Sequence, residues 1–372
     1  MTRLLNDDEL VERVLAHIAA GTTDTGDEVW REPVGNYRSV GRLETEVRHV
    51  LRRVPTPFCP SAALPGRGSF IARNAAGTPT VVVRGRDGRV RAFHNVCRHR
   101  GMRIASGSGT KPSVECGYHG WTYGLDGSLL HVPHERGFPG LDKTCNGLVA
   151  MPAVERAGLV FVVQDGDMAP GTLSDIPELI GPDQALYAEH TRTVDANWKL
   201  LLEGFIEGYH IRATHPQSFL PYGFDNLNVV ETFGKNSRVT YPFQRIERLA
   251  DVPPRDRRVM GFVTFVYHLF PNVLVTMLSS HTNLVILEPI AVDRTQLITY
   301  TLTNKGGSDP VAVAAAKKDA SFVGVTGAAE DREVVCAIQC GLASGANSAF
   351  TFGHFESAIV HFHRELAAAI AA

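Results

Sequence analysis

Two short stretches of this chain of 372 residues could build a metal cluster: Cys97-Arg98-His99 and, sixteen residues later, Cys116-Gly117-Tyr118-His119. Each half offers one thiol and one imidazole. A [2Fe–2S] cluster with unlike irons, one held by two thiolates and the other by two imidazoles, needs that inventory. Zinc could take the same four residues, but zinc motifs ordinarily pair cysteine with cysteine and histidine with histidine. The mixed halves favour iron–sulfur.

A second group lies further along, at Glu207, His210 and His215, with Pro216 behind them. Residues five apart on an ideal α-helix are turned by about 140° around the axis. The two imidazoles therefore converge only if the helix widens or breaks between them, and Pro216 forces its end nearby. Two histidines at a helix end are also common without a metal. In Glu330-Asp331-Arg332-Glu333-Val334-Val335, the apolar stripe of Val334, Val335, Ile338 and Leu342 takes in Asp331 but not Glu330. A carboxylate on an apolar face must be paired or bound to a cation; the plain alternative is an acidic helix start favoured by the dipole. Two histidines and one carboxylate with open positions form the ligand set of non-haem Fe(II) oxygenases.

The elements that must position these residues fall into two styles. Residues 7–19 have helical spacing. From residue 58 the chain turns to short β-rich runs, including a hairpin over 80–93 with an Asp87-Gly88 turn and a second around 121–127. Both ligand pairs of the cluster then sit on loops between hairpins. Leu159–Val163 reads as the last strand before a linker rich in Asp, Gly and Pro. Beyond it, a helix over 196–214 is followed by strands at 261–270, 273–278, 283–290 and 296–303, the last two as antiparallel neighbours. Helices at 330–342 and 355–370 close the chain. The expected class is α+β, with an N-terminal helical arm (residues 1–57), an antiparallel β domain (58–168) and a domain of curved antiparallel sheet wrapped around helices (169–372).

Composition narrows the function. The chain is 44% hydrophobic and 20% charged, with a formal net charge of −2, which leaves no basic footprint for nucleic acid. The N-terminus lacks a signal pattern and no apolar run reaches membrane-spanning length, so a cytoplasmic protein is expected. Of the other cysteines, Cys336 and Cys340 read as buried apolar packing, and disulfides are not expected with Cys59 or Cys145. No Gly-x-Gly-x-x-Gly stands between a strand and a helix, so reducing equivalents must come from a separate partner.

Taken together, Cys97-Arg98-His99-Arg100-Gly101, Cys116-Gly117-Tyr118-His119-Gly120-Trp121, Asn197-Trp198-Lys199-Leu200, the run from Glu203 to His215-Pro216, and Glu330-Asp331…Gln339 resemble the catalytic α subunit of Rieske non-haem iron oxygenases. The resemblance covers nearly the whole chain. It implies a Rieske domain whose cluster is bound by Cys97, His99, Cys116 and His119, and a helix-grip domain whose iron is bound by His210, His215 and Asp331. It implies O2 as co-substrate, a ferredoxin or flavin reductase that relays electrons from NAD(P)H, and a head-to-tail homotrimer. Glu207 stands where the family has a carboxylate bridging the two centres of neighbouring subunits; Lys199, Glu203, Glu207 and His210 share one polar stripe with it. Glutamate there resembles the members acting on carnitine and betaines. Gly204 and Cys340 depart from the family's usual Asn and Arg. Arg98, Arg100 and Arg103 beside the cluster motif could dock an acidic redox partner or equally serve internal hydrogen bonds. An apolar lining of Phe205, Phe219, Tyr222, Phe224, Phe262, Phe265, Tyr267, Met277 and Leu278, with Asn283, makes an aromatic or cyclic apolar compound the preferred substrate, with a quaternary ammonium held by cation–π attraction as the alternative. A Rieske electron carrier without oxygenase activity is the rival reading.

Overall fold

The computed structural model describes residues 3–372. The chain divides into two compact units, Arg52–Gly181 and a second formed by Met1–Leu51 together with Pro182–Ala372. The N-terminal segment expected as a separate arm thus clusters with the C-terminal half.

In Arg52–Gly181 the hairpin predicted around Asp87-Gly88 joins strands Thr78–Arg84 and Val90–His94, with Arg84 opposite Val90. These strands lie inside a five-stranded antiparallel sheet that also contains Ser69–Ala75, Gly107–Thr110 and Ala150–Met151. A small three-stranded sheet (Val114–Glu115, Thr122–Tyr123, Leu129–His131) carries the second cysteine loop. Phe70, Val81, Val83, Phe93, Trp121 and Tyr123 form one core that includes Cys97 and Cys116.

The other unit is built on a seven-stranded antiparallel sheet: β1 (Leu186–Val194), β2 (Val229–Phe233), β3 (Asn236–Pro242), β4 (Val263–Leu269), β5 (Val273–Met277), β6 (His281–Ala291) and β7 (Arg294–Thr303), in the order β1-β7-β6-β5-β4-β3-β2. Side chains alternate between faces, and the register fixes which residues share one. Glu231, Arg238, Tyr267, Val275, Leu284 and Tyr300 form a row on one face; Val230, Val239, Val266, Thr276, Asn283 and Thr301 form the neighbouring row on the other.

The first face is sealed by the start of the chain. The buried Arg238–Glu231 ion pair closes at 2.6 Å, Arg238 donates to the Leu5 carbonyl at 2.9 Å, and the Leu5 N–H donates to Glu231 at 2.6 Å. Arg238 also lies over the rings of Phe265 and Tyr267. The second face carries Tyr241, whose hydroxyl donates to the Phe205 carbonyl at 3.0 Å. The expected pocket lining is therefore split: Phe265, Tyr267 and Met277 belong to the sealed face, and Asn283 to the opposite one.

The helix expected over 196–214 is broken. Helix α1 (Trp198–Glu203), capped by the Asn197 side chain, gives way to tight turns, and helix α2 (Ile211–Thr214) restarts after His210. Gly204 and Gly208, poor helix formers, lie in the gap. Glu207 competes for the backbone there, its carboxylate accepting from the Tyr209 and His210 N–H groups. Helix α3 (Pro310–Val325) precedes α4 (Gly327–Leu342), and α5 (Ser357–Ala371) ends the chain. Two further expectations on α4 fail. Cys340 is exposed and Cys336 only half-buried, and Val334 and Ile338 are likewise exposed. Only Val335 and Leu342 of the supposed stripe face inward.

Candidate metal centres

The two cysteine loops repeat one backbone design. The Cys97 N–H donates to the Met102 carbonyl at 2.8 Å while the Gly101 N–H donates back to the Cys97 carbonyl at 2.9 Å. The Cys116 N–H donates to Trp121 at 2.9 Å and Gly120 returns to Cys116 at 3.0 Å. Closing each loop requires a left-handed residue, and glycine supplies it at φ +78° in Gly101 and +73° in Gly120.

This geometry sorts the ligands by depth. Cys97 and Cys116 are buried, His99 is half-buried and His119 is exposed, with the two imidazole centroids 4.7 Å apart. Trp121 stacks on His99 at 4.9 Å, and the Tyr123 hydroxyl sits 3.3 Å from Cys97 Sγ while accepting the Arg98 N–H at 2.9 Å. Burial pushes the Cys116 thiol above its usual range and the Tyr123 phenol well above its own. Thiols held in this way become thiolates on binding metal. A diiron cluster with a sulfur-bound iron inside and an imidazole-bound iron outside fits these four residues. Arg100 and Arg103 lie exposed beside it, donating to the Tyr118 hydroxyl at 3.2 Å and to Asn74 at 3.3 Å.

In the second unit, the break between α1 and α2 brings His210 and His215 together, their ring centroids 5.1 Å apart. One ligand atom from each of His210, His215 and Asp331 lies within 4.8 Å of the others. His210 Nε2 is 3.6 Å and His215 Nε2 2.8 Å from Asp331 Oδ1. The buried His215 Nε2 nevertheless makes no aligned hydrogen bond. The three groups lie close enough together to be shared by one cation.

The outer nitrogen of each ring is held by its own carboxylate. Glu207 contacts His210 Nδ1, and Glu330 Oε2 lies 2.7 Å from His215 Nδ1 and accepts from Ser218 at 2.5 Å. Burial alone would lower both imidazoles, but Glu207 and Asp331 around His210, and Asp331 and Glu330 around His215, raise them above the ordinary histidine value. Hydrogen bonds from Ser218 and His215 lower Glu330. Glu330 escaped the stripe argument, although an acidic pair at a helix start was itself a signal. Gly327 allows this helix end to come close: a Cβ there would collide with the Phe219 ring, which packs 4.6 Å from His215.

The polar stripe of α1 is internal rather than solvated. Lys199 Nζ pairs with the buried Glu46 at 2.8 Å, and Glu203 accepts from Tyr37 at 2.6 Å and contacts His363 Nε2 at 2.9 Å. These anchors fix α1 so that the chain emerging from it delivers Glu207 and His210. Of the stripe, His210 and Glu207 reach the candidate centre; Lys199 and Glu203 serve packing around it.

Comparison with known proteins agrees with both halves. A Rieske [2Fe-2S] domain model matches residues 54–146, and the model described as ring hydroxylating alpha subunit (catalytic domain) matches residues 182–372. The chain is 34% identical over 200 residues to the carnitine monooxygenase oxygenase subunit of Escherichia coli (strain K12), covering 51% of this chain and 53% of that one. It thus spans about half the length of that relative. It is 32% identical over 260 residues to the Acinetobacter baumannii protein of the same name, covering 66% and 68%. In fold it is similar to a quaternary ammonium Rieske monooxygenase solved with L-carnitine (TM-score 0.77, 22% identity) and with gamma-butyrobetaine (TM-score 0.75, 21% identity), each match covering 99% of both chains. With its Rieske domain followed by a ring-hydroxylating catalytic domain, the chain belongs to the catalytic α subunits of the Rieske non-haem iron oxygenases.

Proposed function

We propose that this chain is the terminal oxygenase component of a multi-protein system. It takes electrons from a separate ferredoxin or flavin reductase and uses O2 to hydroxylate or demethylate a small organic substrate. The observation that carries the reading is the convergence of His210, His215 and Asp331 behind two orienting carboxylates. A pure electron carrier has no use for that site.

Bound metal would supply single-electron transfer at Cys97, His99, Cys116 and His119 and O2 activation at His210, His215 and Asp331. The residues contribute orientation. Glu207 and Glu330 accept from the Nδ1–H groups, fixing the tautomer and turning each Nε2 inward. Tyr123 and Trp121 immobilise the cysteine loop and the His99 ring. Exposed His119 gives the cluster domain a contact point, and in the proposed head-to-tail trimer Glu207 meets His119 of the partner subunit.

For the substrate, the preference expected from the sequence is reversed: a quaternary amine, there the alternative, is favoured over a plain aromatic hydrocarbon. Three of the apolar residues expected in the lining belong to the sealed sheet face, while the metal-side row sets the polar Thr276, Asn283 and Thr301 beside Val230, Val239 and Val266. The carnitine monooxygenase relatives and the glutamate at position 207 support the same choice. Oxygen uptake driven by a surrogate reductase, coupled to product across a panel of betaines and arenes, tests the proposal. Turnover coupled to a betaine is the expected result; absence of substrate-dependent uptake with both metal sites loaded would reject the oxygenase reading.

A further inference from the structure

A helix continued through the break after α1 would send the Tyr209 N–H to the Phe205 carbonyl, four residues back. That N–H goes instead to Oε2 of Glu207, and the Tyr241 hydroxyl, arriving from β3, donates to the Phe205 carbonyl at 3.0 Å. Each of the two backbone groups separated by the break thus has a new partner. Glu207 Oε2 also accepts the His210 N–H at 3.2 Å, while Oε1 contacts His210 Nδ1. The carboxylate that orients His210 is therefore held in place by an N–H that a regular helix would have used.

The Tyr241 ring also forms part of the seat on which the break rests. A Cβ on Gly208 would lie 3.3 Å from Tyr241 Cε1 and 2.9 Å from Asn228 Oδ1, closer than either neighbour allows without moving. Asn228 is fully buried and pinned from the chain start. Its N–H donates to the Thr23 hydroxyl at 3.0 Å, and its carbonyl accepts the Asp24 N–H at 3.3 Å. Burial, then the charges of Glu207 and Asp331, push the Tyr241 phenol well above its usual range, so it keeps the proton it donates.

We infer that Tyr241 is a positioning residue for the mononuclear centre: by holding the Phe205 carbonyl it leaves the Tyr209 N–H to Glu207, and so keeps that carboxylate on His210. The inference rests on the oxygenase reading for the iron that His210 would hold, and deepens it. Without the hydroxyl, the Phe205 carbonyl is left to take back the Tyr209 N–H, and Glu207 loses a bond that fixes it.

The test is chelator competition for the mononuclear iron of the reconstituted holoenzyme, with Tyr241→Phe made in the parent chain and in Glu207→Ala. Tyr241→Phe keeps the ring against Gly208 and removes only the hydroxyl. In the parent chain it should weaken iron retention roughly tenfold. In Glu207→Ala, where no carboxylate is left to position, the same change should cost less than about twofold. The visible spectrum of the cluster should be the same in all four proteins. An equal loss in both backgrounds would make the hydroxyl a general stabiliser and overturn the inference, as would full retention in Tyr241→Phe. A parent chain that holds no iron at the histidines rejects the oxygenase reading itself, and this inference with it.

Discussion

Glu330 Oε2 stands 2.7 Å from His215 Nδ1, and Glu207 makes the matching contact on His210 Nδ1. One carboxylate comes from the start of α4 and the other from the break after α1, so two unrelated elements hold the two imidazoles in the same sense. Asp331, next in sequence to Glu330, then faces both inner nitrogens.

Removing the Glu330 support should loosen the mononuclear site without touching the cluster. Glu330→Ala is expected to weaken iron binding there by roughly 10–100-fold. Chelator competition measures this, with the visible spectrum of the cluster as internal control. Unchanged iron retention would remove Glu330 from the account.

Glu207→Gln keeps an acceptor for His210 Nδ1 but loses the charge. Both metal sites should assemble and the cluster should still bleach with dithionite, while substrate-dependent oxygen uptake collapses. Retained turnover would reject a role for the carboxylate between the centres.

Gly327 sets the approach of α4 to Phe219. Gly327→Ala should destabilise the C-terminal unit by about 1–3 kcal/mol through overpacking and lower its iron content. Phe219→Leu in the same chain should restore part of both, read by denaturant midpoint and metal analysis. Additive losses in the double variant would contradict the contact.

His268, fully buried on β4 with Nε2 3.0 Å from the Pro271 carbonyl, is pushed down by burial to about 4. Its folded value lies below the unfolded one near 6.5, so between these values the unfolded chain binds a proton that the folded chain refuses. Stability contributed by the neutral ring is therefore full above about pH 6.5 and is lost as pH falls toward 4, by up to about 3 kcal/mol. Denaturation midpoints at pH 7 and pH 5 should differ less in His268→Gln than in the parent chain. Equal slopes would mean that His268 titrates normally.

Residue types and spacing pointed to the cluster ligands directly, because mixed cysteine–histidine pairs have few other uses, whereas for His210, His215 and Asp331 they left plain alternatives open and the resemblance completed the set. The convergence of His210 with His215 was legible only as a condition, that the helix widen or break. Which of these happens depends on Gly204, Gly208 and the Glu207 carboxylate acting together. Glu330 was missed because the stripe argument admits one face of a helix. At the start of α4 two successive carboxylates serve the two nitrogens of one imidazole. The sheet floor was illegible for another reason. β4 is buried on both faces, so its alternation, with Thr264 and His268 opposite Phe265 and Tyr267, does not say which face the metal-bearing loops cover. The bond from Tyr241 to Phe205 shows which side the metal-bearing loops occupy.

Iron counted per chain before and after Asp331→Ala tests the central claim most directly. Anaerobically reconstituted parent protein should hold about three irons, two in the cluster and one at the histidines. The variant should hold about two, with the cluster's visible and paramagnetic spectra unchanged. A parent chain with only the cluster irons, or a variant that keeps the third, would contradict the account.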